Sequence, residues 1–259
     1  TEENGRLKYA KRCMYSLLET VDFNKHRLGI YLNAPSDEAK EFYREFKEDF
    51  SSCFDFPSGN LIIIENAENV GTAKAVNSIM YLRKEGEKCI KMDDDVVFNK
   101  NGWVDEMEDA ISRLTNIGIL GLKRRDLAES TYRTDWAASK LIEVPHKAGE
   151  KWYVVEQVNH VMGTCTMYSD AMLEKCGGLY QMGGLYGFDD STYCYRALIA
   201  GLASCFLHGI DIEHIDEGGD VYTDWKQKYS GEKMTAYNEA LQKYKSGELS
   251  IYHPIEQTL

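Results

Sequence analysis

The sequence predicts an α/β fold: a mainly parallel central sheet flanked by helices, with a small antiparallel part in the second half. Three observations carry this expectation. Short apolar runs alternate with amphipathic helical stretches from Arg6 to Leu122, as in a parallel sheet covered on both faces. One run, Lys88 to Met92, ends directly in three carboxylates, Asp93, Asp94 and Asp95. Ligands in such sheets bind outside the carboxyl ends of strands. The chain then changes character, to polar irregular sequence, strand-like pairs and a glycine-rich loop.

The elements follow in order. Leu7, Ala10, Met14, Leu17 and Leu18 repeat at helical spacing between Arg6 and Glu19. Leu28 to Leu32 reads as a strand. Ser36 caps a helix with Asp37 and Glu38 in its first turn, where the dipole favours them. Its apolar side is Ala39, Phe42, Tyr43, Phe46 and Phe50. The all-apolar Leu61 to Ile64 suits a strand covered on both faces. A polar loop, Glu65 to Gly71, precedes a helix over 72–84. Trp103, Met107, Ile111 and Leu114 mark another helix, and Ile117 to Leu122 another strand. Lys123 to Lys151 is polar and irregular. Tyr153 to Val158 and Val161 to Tyr168 read as a pair of strands. A short helix starts at Ser169-Asp170 and stops at Gly177-Gly178. Five glycines between Gly177 and Gly187 make a loop with freedom to move. Asp190 to Ala200 is a helix, Ala203 to Leu207 a strand and His208 to Asp220 a polar loop. A final helix carries Met234, Tyr237, Leu241 and Tyr244 on one face.

Composition narrows the functional classes. The 259 residues carry 42 Asp and Glu against 30 Lys and Arg, a net charge of −12. That balance argues against sequence-independent nucleic-acid binding, which needs a basic footprint. No apolar run reaches the ~18 residues of a membrane span. The seven cysteines are scattered with no C-x-x-C pair, as small core residues in a reducing compartment would be. A cytoplasmic location is expected, with no signal-peptide pattern at the start.

The acidic triplet is the chemical centre. Three adjacent carboxylates repel unless a counter-charge joins them. Period-two alternation sends Asp93 and Asp95 to one face. Two hard-oxygen ligands there make half a site for Mn2+ or Mg2+, which would hold a phosphate or diphosphate. The bland alternative is a solvated acidic turn.

Three more features line up with the triplet: Asn69-Val-Gly71-Thr-Ala-Lys-Ala75-Val-Asn77 ahead of it; Gly177-Gly-Leu179, Gly187-Phe-Asp189-Asp190 and Arg196 after it; then His214. In order and spacing they resemble the nucleotide-sugar glycosyltransferases of the GT-A fold, most closely the inverting family 2 type. The resemblance spans about residues 6–220. It implies one GT-A domain over 1–259, with a nucleotide-binding half (1–122), an acceptor-binding and catalytic half (123–220) and a C-terminal helical segment (221–259).

By the same resemblance, Asn33, Asn69, Gly71, Asn77, Asp93 and Asp94 belong to the nucleotide-binding set. Asp95, Asp93 and His214 would hold Mn2+ or Mg2+. Asp190, beside Asp189, would be the base that takes the proton of a glycan or other hydroxyl acceptor. The partner would be a UDP-sugar donor.

The sequence also departs from the family. Asn33 stands where an aspartate usually reads the base, and Asp189 replaces the usual glutamate. The family's first strand should precede Arg6 and is not found in this chain. Two rival classes are a haloacid-dehalogenase-type phosphohydrolase using Asp93 and Asp95, and a non-catalytic nucleotide-sugar-binding protein. Trp136 and Trp152 are candidates for stacking on sugar rings, with core or interface packing as the alternative. Lys123, Arg124 and Arg125 are candidates for a phosphate clamp, with a solvated charge run as the alternative.

Overall fold

The computed structural model describes residues 5–125, 140–144, 152–182, 184–218 and 221–256. Helix α1 (Leu7–Thr20) forms where the apolar spacing predicts it and buries Leu7, Ala10, Met14, Leu17 and Leu18. The next helix, α2 (Asp37–Ser52), starts where Ser36 Oγ accepts the Ala39 amide at 3.3 Å. It buries Phe42, Phe46 and Phe50 against α1. Between them β1 (Leu28–Asn33) pairs in parallel with β2 (Leu61–Asn66). A loop then leads to α3 (Thr72–Met80), which ends four residues earlier than its apolar spacing predicts.

The larger sheet has seven strands. In chain order they are β3 (Cys89–Met92), β4 (Val96–Phe98), β5 (Ile117–Arg124), β6 (Lys140–Val144), β7 (Tyr153–Val158), β8 (Cys165–Tyr168) and β9 (Ala203–His214). Their spatial order is β3-β8-β5-β9-β7-β6, with β4 on β9. Among the described residues, helices α4 (Trp103–Arg113), α5 (Asp170–Cys176), α6 (Asp189–Ile199) and α7 (Val221–Ser246) follow. One core joins α1, α2 and α4 to the sheets, and a second lies under α5 and α6. None of the described helices is long and apolar enough to cross a membrane.

The α/β expectation holds, with a more mixed pairing than the strand–helix alternation implied. Among the described strand ladders only β1–β2 and β5–β9 are parallel, because β8 enters between β3 and β5 and runs antiparallel to both. Three local expectations are corrected. The strands over 153–158 and 165–168 do not pair with each other, since β5 and β9 lie between them. Residues 208–214 are not loop; they extend β9 past its apolar half, where alternate side chains reach solvent and hide the strand signal. Within 123–151, read as irregular, Lys140–Val144 forms β6 on β7. Trp136 and most of that stretch lie outside the described residues.

No ladder joins the two sheets among the described residues. The free edges of β1 and β3 instead line one cleft of about 1410 Å3. The acidic triplet sits at the carboxyl end of β3, on the wall of that cleft.

Candidate active site

Strand pairing assembles the first cluster. Asp95 immediately precedes β4, and β4 runs antiparallel to the end of β9, with Val96 opposite His214. The Ile215 amide bonds the Asp95 carbonyl at 2.9 Å. Asp95 and His214 are therefore neighbours, with Asp95 Oδ1 3.4 Å from His214 Nε2. Asp216, two residues on, joins them. Ligand atoms of Asp95, His214 and Asp216 all lie within 4.8 Å of one another.

A guanidinium closes one side of this cluster. Arg6, at the start of α1, reaches Asp95 Oδ2 at 2.5 Å and Asp216 Oδ2 at 2.8 Å. Asp94, whose side chain is mostly exposed, lies 3.7 Å away. Burial works against the Arg6 charge, but Asp216, Asp94 and Asp95 outweigh it and push its pKa up. For Asp216, Arg6 overcomes partial burial and holds the carboxyl below its ordinary value. His214 is pushed down by burial despite Asp95, which favours the neutral imidazole that a metal ligand must be.

The donor set fits a divalent cation. Asp95 Oδ1 is buried without a hydrogen-bond partner, and such an atom costs about 1–3 kcal/mol unless something satisfies it. Arg6 takes the outer oxygens and leaves this one turned to His214. Two carboxylate oxygens and an imidazole nitrogen suit Mn2+ or Mg2+. Asp93 lies outside this cluster, because its Oδ1 pairs with Lys91 Nζ. Its carboxylate is 39% exposed to the cleft.

The second cluster begins α6. Phe188 occupies the cap position in a left-handed conformation (φ 61°) with no side-chain cap. Asp189 and Asp190 thus fall in the first turn and line the cleft, so neither serves as the cap. Asp190 Oδ2 accepts the Gly163 amide at 3.0 Å and lies 3.4 Å from His160 Nε2. Its Oδ1 accepts the Ser191 amide at 2.7 Å. Desolvation opposes its charge, but His160, Gly163 and Lys91 outweigh that and hold Asp190 below the usual carboxylate range. Asp189 goes the other way: desolvation and the Asp190 charge push it up to about 6.

The asparagine loop braces the cleft more than it faces it. Asn33 Nδ2 donates to Asn69 Oδ1 at 2.9 Å, and Asn33 Oδ1 accepts the Val70 amide at 2.8 Å. Both residues line the cleft. Gly71 has φ 89°, and a Cβ there would sit 2.0 Å from Gln181 Nε2. Asn77 does not reach the cleft. It is buried, and its amide clamps both backbone groups of Leu179 at 2.8 and 2.9 Å. Arg196 is likewise spent on the carbonyls of Cys176, Gly178 and Ile251.

Of the basic run, Lys123 pairs with Glu156 and Arg125 with Glu213, while Arg124 lines the cleft. His208 lies on Glu156. Trp152 is exposed. Trp225 and Lys226 of α7 reach the cleft beside Tyr186.

Sequence reasoning missed Arg6, Lys91, His160 and Asp216 as site residues. The His214-Ile-Asp216 spacing, two apart at a strand end, is a signal for Asp216. Arg6 and His160 come from remote segments and carry no local signal.

No family model matches the chain, and no curated protein sequence matches it. Solved structures do. A GalNAc-T7 structure with UDP, GalNAc and Mn2+ superposes with a TM-score of 0.57 at 12% identity, over 80% of this chain and 41% of that one. Staphylococcus aureus TarS 1–349 gives 0.51 at 14% identity, over 83% of this chain and 56% of that one. Its complex with UDP-GlcNAc gives 0.55 at 13% identity, over 92% and 69%. The fold is the GT-A fold of the nucleotide-sugar glycosyltransferases.

Proposed function

We propose that this chain is a metal-dependent, inverting glycosyltransferase that moves a sugar from a UDP-sugar to a hydroxyl of a glycan or other acceptor. The observation that carries the reading is the buried, unpartnered Asp95 Oδ1 beside His214 and Asp216, in one cleft with Asp189 and Asp190. The GT-A neighbours solved with UDP or UDP-GlcNAc support it.

Asp95, His214 and Asp216 would hold Mn2+ or Mg2+. A divalent ion there supplies charge to the departing diphosphate. Asp93, exposed to the cleft, would face the nucleoside, with Asn33 bracing the loop beside it. The acceptor oxygen attacks the anomeric carbon while the bond from that carbon to the diphosphate oxygen breaks. Asp190 takes the acceptor proton as its acidity rises in the transition state. The Gly163 amide and His160 keep that carboxylate ionised and aimed.

A second reading gives the base role to Asp189, because a pKa of about 6 lies nearer neutral working pH. The test is turnover of a UDP-sugar panel with Mn2+, followed by UDP release, for wild type, Asp190→Asn and Asp189→Asn. The reading expects a loss of about 100-fold or more in Asp190→Asn, with donor affinity kept. A larger loss in Asp189→Asn, with an acid limb near pH 6 in the wild type, moves the base to Asp189. No turnover of any donor that binds favours a non-catalytic binding protein.

A further inference from the structure

Strand β3 carries a charge that its neighbours do not explain. Ile90 and Met92 pack against the first core, and Cys89 against the second. Alternation therefore sends Lys91 to the face shared by Cys89 and Asp93. There its side chain is 8% exposed, more deeply buried than the carboxylate it meets. An ammonium that deep is retained only with partners, since an unpaired buried charge is strongly disfavoured.

Its partners span the cleft. Lys91 Nζ donates to Asp93 Oδ1 and to the Gly163 carbonyl. Gly163 in turn gives its amide to Asp190 Oδ2 at 3.0 Å. The four residues form one connected path, Asp93–Lys91–Gly163–Asp190. A Cβ on Gly163 would stand 3.0 Å from Lys91 Nζ and 3.3 Å from Asp190 Cβ. A larger residue at that point would press on the lysine and the aspartate that close on it from two sides.

We infer that Lys91 is a positioning residue of this site: its buried ammonium ties Asp93 to the Gly163 turn that holds Asp190, and so sets the geometry and charge of Asp93 and of the Asp189–Asp190 pair at once. The inference rests on the site reading above but not on any donor. It assigns the lysine a role that neither the acidic triplet nor the Asp189–Asp190 pair contains.

Asp190 faces Lys91 of β3, His160 and Gly163 after β7, and Asp189 and Ser191 of its own helix. Tyr168 of β8, Tyr186 of the glycine-rich loop, Cys194 of α6 and Tyr237 of α7 also feel its charge. Asp189 sees chiefly Asp190, Lys91 and Asp93. Lys91 stands among the strongest charges acting on both carboxylates.

The experiment follows the aspartate side-chain carboxyl carbons by NMR from pH 4 to 9, with no donor, acceptor or metal. It compares wild type, Lys91→Met and Lys91→Arg. Removing the cation should raise the midpoint of Asp189 by about one unit or more, a tenfold change in proton affinity. Lys91→Arg, which keeps the charge, should leave the midpoint near the wild-type value. If Lys91→Met does not fold, the same comparison is made between Asp93→Asn and Asp93→Asn/Lys91→Met, where no carboxylate of the Lys91 pair is stranded. An unchanged midpoint on loss of the lysine overturns the inference in either background. An equal rise in Lys91→Arg also overturns it, because charge then plays no part. These titrations stand even if no sugar donor is ever turned over.

Discussion

The Arg6 guanidinium lies 2.5 Å from Asp95 and 2.8 Å from Asp216, bridging two carboxylates that flank the same end of the β4–β9 ladder. All three side chains are at most 10% exposed. Breaking a buried pair by removing one partner costs about 3–5 kcal/mol. Arg6→Met should therefore lower unfolding free energy by that order in urea melts. Mn2+ should restore part of the loss, since the ion satisfies the same oxygens. The Mn2+-induced rise in Tm should be larger in Arg6→Met than in wild type. An equal or smaller rise places the ion elsewhere.

Asp189 gives a pH dependence with a definite sign. Its folded pKa of about 6 lies above the ~3.9 of an unfolded aspartate. Between those values the folded chain binds more protons than the unfolded chain, so this group lowers stability as pH rises through that window. Asp189→Asn should match wild type near pH 3.5 and exceed it at pH 7. Denaturation curves at the two pH values check this. A difference that does not vary with pH contradicts it.

Asn77 should matter to stability rather than to donor affinity. Its amide satisfies both backbone groups of Leu179 in the interior. Asn77→Ala leaves those groups unpaired, at a cost of about 2–3 kcal/mol. Urea denaturation measures the cost. A variant of native stability with weakened nucleotide binding would return Asn77 to the nucleotide-binding set.

Gly71→Ala combines a left-handed backbone with a contact on Gln181. The backbone at φ 89° and ψ 165° alone costs about 1–3 kcal/mol for a residue with a Cβ. The displaced Gln181 also loses its bonds to the Val70 and Gly184 carbonyls. Limited proteolysis should then cut the 177–187 loop faster than in wild type. Equal cutting rates would show that Gln181 does not pin this loop.

The sequence made the fold legible where periodicity is local. The apolar stripe of α1, the Ser36 cap and the run Leu61 to Ile64 each specify an element without reference to the rest. The triplet at a strand end and Asp189-Asp190 at a helix start were legible for the same reason. What stayed hidden depends on pairing. The outer half of β9 alternates too weakly in hydrophobicity to read as a strand, so Asp216 was overlooked and the contact of His214 with Asp95 had no visible cause. Arg6 and His160 gain their meaning only when α1 and the turn after β7 meet the cleft. Lys91 was readable as a lysine in a buried strand, an inconsistency that the structure resolves by pairing it with Asp93 and Gly163. Asn77 misled because a short family motif does not distinguish a ligand contact from a clamp behind it.

The central claim is that this cleft binds a nucleoside diphosphate through a cation held by Asp95. Titration calorimetry of UDP into the protein, with Mn2+ and with EDTA, tests it most directly in wild type and Asp95→Ala. The account predicts binding that requires Mn2+ and weakens by tenfold or more, about 1.4 kcal/mol, in Asp95→Ala. UDP affinity that is the same in EDTA, or the same in Asp95→Ala, would contradict it.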